Sequence, residues 1–320
     1  MISDFLRTSL ACPACKSALN GSTALRCESC QVEYVIHLGG IPAMLRPELT
    51  TPENPSPNWY TTRKRFEAEH FSSVPDTYFE SLSSAANETN PYQMKLSKQM
   101  ENVFATAGSG AAVLDIGGGA RGYIEKFGLQ STAVVTDISL NWLTSVQRPG
   151  DRSNFVASDC EELPFFDGSF DLVVINGVLH HVPRQACALR EIDRVLKPGG
   201  SAIVIEPAKW SVALIYYLLK RAVFLMTGAA GLKKYLHYYG SPYESYLAPR
   251  LIRKIFDDSR YQVEIVKTTP IRLPFVGGWA PGKLYARMLQ IVEKTWLNDC
   301  FGSYLIARIR KHGGATVDPR

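Results

Sequence analysis

Carboxylates that each follow a short apolar run are the chemistry-bearing residues of this 320-residue chain, and the most informative of them is Asp115, in Val113-Leu114-Asp115-Ile116-Gly117-Gly118-Gly119. Glycines carry no Cβ, so a ligand can approach their main chain closely. The segment that follows, residues 120–127, reads as a helix whose N-terminus faces the same ligand. A pyrophosphate would suit those N–H groups but not a carboxylate planted just before them, whereas a sulfonium with a free amino group suits the carboxylate. Asp115 therefore tilts the turn away from dinucleotides and towards S-adenosylmethionine. Two more acids stand at the ends of β-rich runs. Asp137 closes residues 132–136 and is placed to accept both hydroxyls of a ribose; Asp159 follows residues 154–157 and is placed to accept from an adenine amino group. Either could instead cap a turn or helix, the commonest role of Asp after a strand.

Methyl transfer from a sulfonium needs the acceptor held in line and water excluded, and a base only where the acceptor is a weakly acidic hydroxyl. His180, His181 and Glu206 are the candidates at the same edge, with His237, Tyr238, Tyr239 and Tyr243 in a later segment. Adjacent histidines face different directions, so at most one is expected to meet the substrate. O-methylation is favoured weakly over C- or N-methylation.

A second constellation lies near the amino end. Cys12-Pro13-Ala14-Cys15 and Cys27-Glu28-Ser29-Cys30 form a C-x2-C-x11-C-x2-C pattern suited to one tetrahedral zinc. The interval holds a short hairpin with Asn20-Gly21 at its turn and residues 23–26 as a strand. Two disulfides or a reactive pair are the alternatives, which a reducing compartment disfavours. Four thiolates leave no open position for water, so such a metal would hold structure and perform no chemistry.

The elements that must position these groups read as a doubly wound sheet. Residues 170–175 are nearly continuously apolar, as in a strand buried on both faces, and end at Asn176. A helix over 184–196 runs into the stop Lys197-Pro198-Gly199-Gly200, and a strand over 201–205 points Glu206 at the common edge.

Asp115-Ile116-Gly117-Gly118-Gly119, Asp137, Asp159 with Leu163-Pro164-Phe165, Phe170-Asp171-Leu172-Val173 with Val178-Leu179-His180-His181, and Arg194-Val195-Leu196-Lys197-Pro198-Gly199-Gly200 together resemble the class I S-adenosylmethionine-dependent methyltransferases, nearest to small-molecule and quinone-type enzymes. The resemblance covers roughly residues 110–207. It implies an α/β, Rossmann-like, seven-stranded sheet in which five parallel strands are followed by an antiparallel pair, placed at residues 261–267 and 303–309. It implies Asp115, Gly117 and Gly119 around the methionine moiety, Asp137 on the ribose and Ile138 on the adenine face. Asp159 and Cys160 would lie at the adenine edge, and Asn176 near the methionine end. The continuation Ala120-Arg121-Gly122 departs from relatives that place a further glycine earlier, which leaves the backbone path beyond Gly119 open. The cysteine segment is similar to small zinc-ribbon domains beside or fused to some methyltransferases.

The expected organisation is a zinc ribbon over residues 1–50, a linker and helical cap over 51–107, and a methyltransferase domain over 108–320 with a helical lid inserted at about 207–258. The lid's apolar stretch, residues 210–226, is interrupted by Lys220-Arg221, each of which would cost about 2.5–3.5 kcal/mol in a bilayer. This argues against a transmembrane helix. It fits either a lid over an amphiphilic or lipid-linked acceptor, touching a membrane peripherally with Lys233, Lys234, Arg250, Arg253 and Lys254 near phosphates, or an ordinary buried helix. Asp4 and Arg7 interrupt any leader-like run, and the setting is expected to be cytoplasmic. The net charge of +5 permits an acidic substrate without demanding nucleic acid. A zinc-ribbon RNA methyltransferase would carry a more basic, aromatic ribbon. A non-catalytic scaffold would not need Asp115, Asp137 and Asp159 intact. The oligomeric state is left open.

Overall fold

The computed structural model describes residues 2–50, 59–72, 91–118, 121–127, 131–148, 150–207, 221–228, 244–268 and 304–313. Gly119, residues 51–58 of the linker, residues 208–220 and 229–243 of the expected lid, and with them Lys233, Lys234, His237, Tyr238, Tyr239 and Tyr243, lie outside the described residues.

Runs of branched and apolar residues that must be covered on both faces form the centre of the molecule. These are β4 (Ala112–Ile116), β5 (Thr132–Asp137), β6 (Asn154–Ser158) and β7 (Phe170–Asn176), almost wholly buried and mutually parallel. β8 (Leu196–Pro207) pairs parallel to β7. β10 (Tyr304–Lys311) is antiparallel both to β8 and to β9 (Tyr261–Thr268), so it alone reverses direction in this half of the sheet.

Three further strands come from the amino end: β1 (Ala24–Cys27), β2 (Val32–His37) and β3 (Ile41–Met44). The full order is β1-β2-β3-β6-β5-β4-β7-β8-β10-β9: the seven-stranded sheet expected, β4 to β10, is extended to ten strands by the three from the amino end. The cause is β3. Its Ala43 and Met44 pair in parallel with Ala157 and Ser158 of β6, extending the central sheet at the edge where β6 would otherwise present unpaired backbone. A second seam reinforces it. α1 (Asp4–Ser9), capped by the Ser3 hydroxyl on Leu6 N, leads to Leu10, which bridges Phe165, while Ala11 N donates to Pro164 O at 2.9 Å and Phe166 N to Ser9 O at 3.0 Å.

Helices flank the sheet: α2 (Pro47–Thr50), α3 (Trp59–Ser72), α4 (Pro91–Ala107), α5 (Arg121–Phe127), α6 (Leu140–Val146), α7 (Gln185–Val195) and α8 (Pro249–Ile255). α7 buries Ala188, Leu189, Ile192 and Val195, the stripe a surface helix turns to its sheet. It stops at Val195. The residues expected as a turn after it, Lys197-Pro198-Gly199-Gly200, belong instead to an extended run of β8, with Gly199 at φ 84° and a register shift against Phe170 and Leu172.

Strand order reverses between β4 and β7: from β4 the chain moves to β5 and β6 on one side, and from β7 to β8 on the other. In such sheets the crevice opens at the carboxyl ends of the strands flanking the reversal. Those ends carry Asp115 and Asn176.

Candidate functional site

Asp115 is fully buried one residue before the end of β4, opposite Val135 of β5 and Val174 of β7. After Ile116 the chain turns through Gly117 at φ 81° and Gly118 at φ 63°, with Gly117 N donating to Thr136 O at 2.6 Å. Both angles are left-handed and favour glycine. Packing adds a second reason beyond ligand approach. A Cβ at Gly117 would lie 2.1 Å from Val178 Cγ2, and one at Gly118 would lie 2.0 Å from the Trp142 ring. Side chains thus support the turn from beneath.

Asp137 ends β5 and accepts from Ser139 N at 2.7 Å. Burial pushes its carboxyl up to about 7, against the backbone N–H groups of Ser139 and Ile138 that pull it down. Ser139 in turn caps α6 through Trp142 N, while Asp137 holds the turn just before it. Ile138 packs with Trp142 and Leu143. At the tip of β6, Ser158 Oγ is buried without a hydrogen-bond partner among the described residues.

Asp159 stands differently from the expectation. Its carboxylate is ion-paired with Lys64 of α3 and accepts from Glu161 N at 3.0 Å. Lys64 also lies 3.3 Å from Glu161, whose other partners are Arg184 Nε at 2.7 Å, Arg184 N at 2.8 Å and the Tyr60 hydroxyl. Lys64 is 3% exposed, and these charges raise its ammonium against the desolvation that lowers it. Burial, with the Asp159 charge beside it, lifts the Cys160 thiol well above its usual range. In the segment before β4, Lys64 of α3 thus meets Asp159 and Glu161, and Glu67 meets His181.

Glu206, expected as a candidate base, is fully buried and already engaged. Its Oε1 accepts from Val178 N at 2.8 Å and Leu179 N at 2.6 Å, and its Oε2 from His180 N at 3.3 Å, with His180 Nδ1 at 2.8 Å. It anchors the 3-10 turn Leu179–His181 to the end of β8. The two imidazoles lie 4.0 Å apart, and His181 Nδ1 is 3.3 Å from Glu67 Oε2. Burial lowers His180, but Glu206 and then Glu244 and Glu67 outweigh it, leaving the ring raised. His181 is pulled well below its ordinary value by burial and by His180.

The residues present fit a cationic methyl donor: successive strand tips carry Asp115 and Asp137, the glycine bend lies between them, and an orphaned hydroxyl follows on β6. A family model described as a methyltransferase domain matches residues 114–204. These residues form a methyltransferase domain. The chain is 40% identical over 111 residues to a ubiquinone/menaquinone biosynthesis C-methyltransferase of Hahella chejuensis, covering 32% of this chain and 45% of the relative. A similarly named protein of Azotobacter vinelandii is 32% identical over 177 residues, covering 50% and 60%. The chain thus spans about half the length of the relatives it matches. Among solved structures, an N-methyltransferase of Bradyrhizobium japonicum bound to S-adenosyl-L-homocysteine aligns with 73% of this chain and 97% of its own, at 15% identity and a TM-score of 0.43.

The sulfurs of Cys12, Cys15, Cys27 and Cys30 all lie within 4.8 Å of one another. Lys16 and Gln31, each directly after the second cysteine of its pair, share a left-handed backbone at φ 60° and 54°, so the two halves repeat one conformation. Cross-pair separations of 3.9 Å for Cys12–Cys30 and 3.5 Å for Cys15–Cys27 bracket the roughly 3.8 Å edge of a tetrahedron with zinc–sulfur bonds.

Proposed function

We propose that this protein transfers the methyl group of S-adenosylmethionine to a small-molecule acceptor. Buried Asp115, followed at once by the left-handed Gly117-Gly118 bend at the point where strand order reverses, carries the reading. When bound, the donor supplies an electrophilic methyl on a sulfonium. Asp115 and the bend would hold its amino-acid end, Asp137 its ribose hydroxyls and Ile138 the adenine face. Asp159 and Cys160 would meet the adenine edge once Lys64 shares or yields Asp159, and Asn176 lies beside the methionine end. The names of the relatives favour carbon as the methylated atom over the hydroxyl expected from the sequence. The His180–Glu206 contact is better suited to orienting the turn than to removing a proton, which agrees with that choice.

The cysteine cluster supports structural zinc in an N-terminal ribbon, residues 1–50, docked through β3 onto a methyltransferase domain at 108–320. Among the described residues no helix is long and apolar enough to cross a membrane. Leu225 and Met226, 76% and 74% exposed on a helical stretch at 221–228, suit a lid that meets an amphiphilic acceptor or a membrane surface.

Calorimetry with S-adenosylhomocysteine tests the reading: the wild type binds, and Asp115→Ala and Asp137→Ala lose detectable affinity while unfolding at a similar temperature. Binding unchanged in both variants would refute it. Cys12→Ser should release zinc and expose residues 1–50 to protease, leaving the methyltransferase domain folded.

A further inference from the structure

We propose that His180, His181 and Glu244 form a divalent-cation site at the acceptor end of the methyl-transfer site, and that the cation holds an anionic oxygen of the acceptor. The second half rests on the methyl-transfer reading; the first does not. Each residue offers a ligand atom, and these atoms lie within 4.8 Å of one another. A tetrahedral zinc with nitrogen and oxygen ligands needs edges of about 3.3 Å, within reach of small side-chain rotations.

Two imidazoles and one carboxylate are the donor set of zinc, manganese, iron or cobalt sites, and three protein ligands leave positions open for a small molecule. The ligands are also held as metal ligands usually are, through their other atoms. Glu206 fixes the His180 ring through Nδ1 at 2.8 Å, which leaves Nε2 to face a metal. Glu244 comes from a distant segment, yet Ser245 N donates to His180 O at 2.6 Å, and Gln185 Nε2 bridges Leu179 O to Ser245 O. The carboxylate and the histidine turn are thereby locked together. Glu67 adds negative charge beside His181 Nδ1 at 3.3 Å. Among the described residues Arg63 stands opposite, its Nη2 donating to the carbonyls of His180 and His181 at 3.4 and 3.0 Å.

Position gives the site its ligand class. Val178, two residues before His180, sits against the Gly117 position, so the histidine turn borders the bend assigned to the donor's methionine end. A cation there would favour the ionised form of a phenol or enol, and with it electron density on the oxygen and its neighbouring carbon. The expected acceptor is a hydroxyarene or enolisable ketone.

Manganese is the probe for the site itself, because four thiolates are a poor manganese site and zinc can be left in the ribbon. Titration of the zinc-loaded full chain, followed by the electron paramagnetic resonance of free manganese, should show one ion bound per chain. Glu244→Gln and His181→Gln should each weaken it about tenfold or more, and Cys12→Ser should leave it unchanged. Manganese should raise the melting temperature of the wild type and not that of Glu244→Gln. Homocysteine-cofactor binding retained in Glu244→Gln separates this outcome from failure of the methyl-transfer reading. No manganese or cobalt bound beyond the sulfur site, or equal affinity in wild type and both glutamine variants, would mean a hydrogen-bonded triad only and overturn the site. Nitrocatechol tests the acceptor half. Its visible band should shift on the metal-loaded wild type and not on Glu244→Gln; no shift with the metal bound would overturn that assignment.

Discussion

Replacing Gly117 by alanine separates two demands that meet at one residue. At φ 81° an alanine carries the left-handed penalty of about 1–2 kcal/mol. Its Cβ would also stand 2.1 Å from Val178 Cγ2 and 3.3 Å from both Cβ and Cγ1 of that valine. Carbon atoms rest at about 3.5–4.0 Å, so backbone or valine must give by more than about 1 Å, an overpacking worth about 1–3 kcal/mol. The expected loss in Gly117→Ala is therefore about 2–5 kcal/mol. Val178→Ala removes the overlapping methyl but not the backbone penalty. In the double variant the overpacking share should return, giving a coupling of about 1–3 kcal/mol and a residual of about 1–2 kcal/mol. Urea unfolding of the zinc-loaded chain, read by tryptophan fluorescence, measures all four corners of the cycle. The donor's product should bind more weakly to the single variant, since the bend itself has moved. A Gly117→Ala chain within about 0.5 kcal/mol of wild type, or single effects that simply add, would refute the reasoning.

Glu206→Gln places an amide NH2 among N–H donors. It must turn towards His180 Nδ1 and force that ring into the Nε2–H tautomer, with about 3 kcal/mol lost; nitrogen NMR reads the tautomer, and a loss below about 1 kcal/mol would show that the carboxylate is not the anchor. Lys64→Met strands Asp159 and Glu161 in the interior and should destabilise by about 3–5 kcal/mol, measured by thermal unfolding; a neutral outcome would mean that the pairs are replaceable by packing. For Asp137, a folded pKa of about 7 lies above the unfolded 3.8, so its contribution to stability is complete below 3.8 and is lost as pH rises through about 7. Ribose hydroxyls favour the ionised form, so binding of the homocysteine product near pH 6 should release up to about one proton, detected as heats that differ between buffers of unlike ionisation enthalpy. Equal heats, or the same release in Asp137→Asn, would contradict the ribose role.

The central strands were legible because burial on both faces leaves little choice of residue. Val113 to Ile116, Thr132 to Asp137 and Phe170 to Asn176 are strands where their apolar runs predict them. The acids at their tips stand out because nothing in a buried strand needs them. The cysteine spacing announced its own cluster for the same reason. Less local features did not show. β3 is four residues whose partner, β6, lies more than a hundred residues on, and no short-range pattern encodes that pairing. Lys64 gave no sign of meeting Asp159, since a lysine on a polar helix usually faces solvent. Glu206 looked available because its three N–H donors come from a turn whose path the sequence leaves unspecified. No short-range pattern sets Glu244 beside His180; that relation depends on the backbone hydrogen bond from Ser245 and the Gln185 bridge.

A crystal structure of the full chain soaked with S-adenosylhomocysteine measures the central claim directly. The account predicts ordered density over the Gly117-Gly118 bend, with the amino group towards Asp115 and both ribose hydroxyls on Asp137. An empty bend at saturating ligand, or ligand bound elsewhere on the chain, would contradict it.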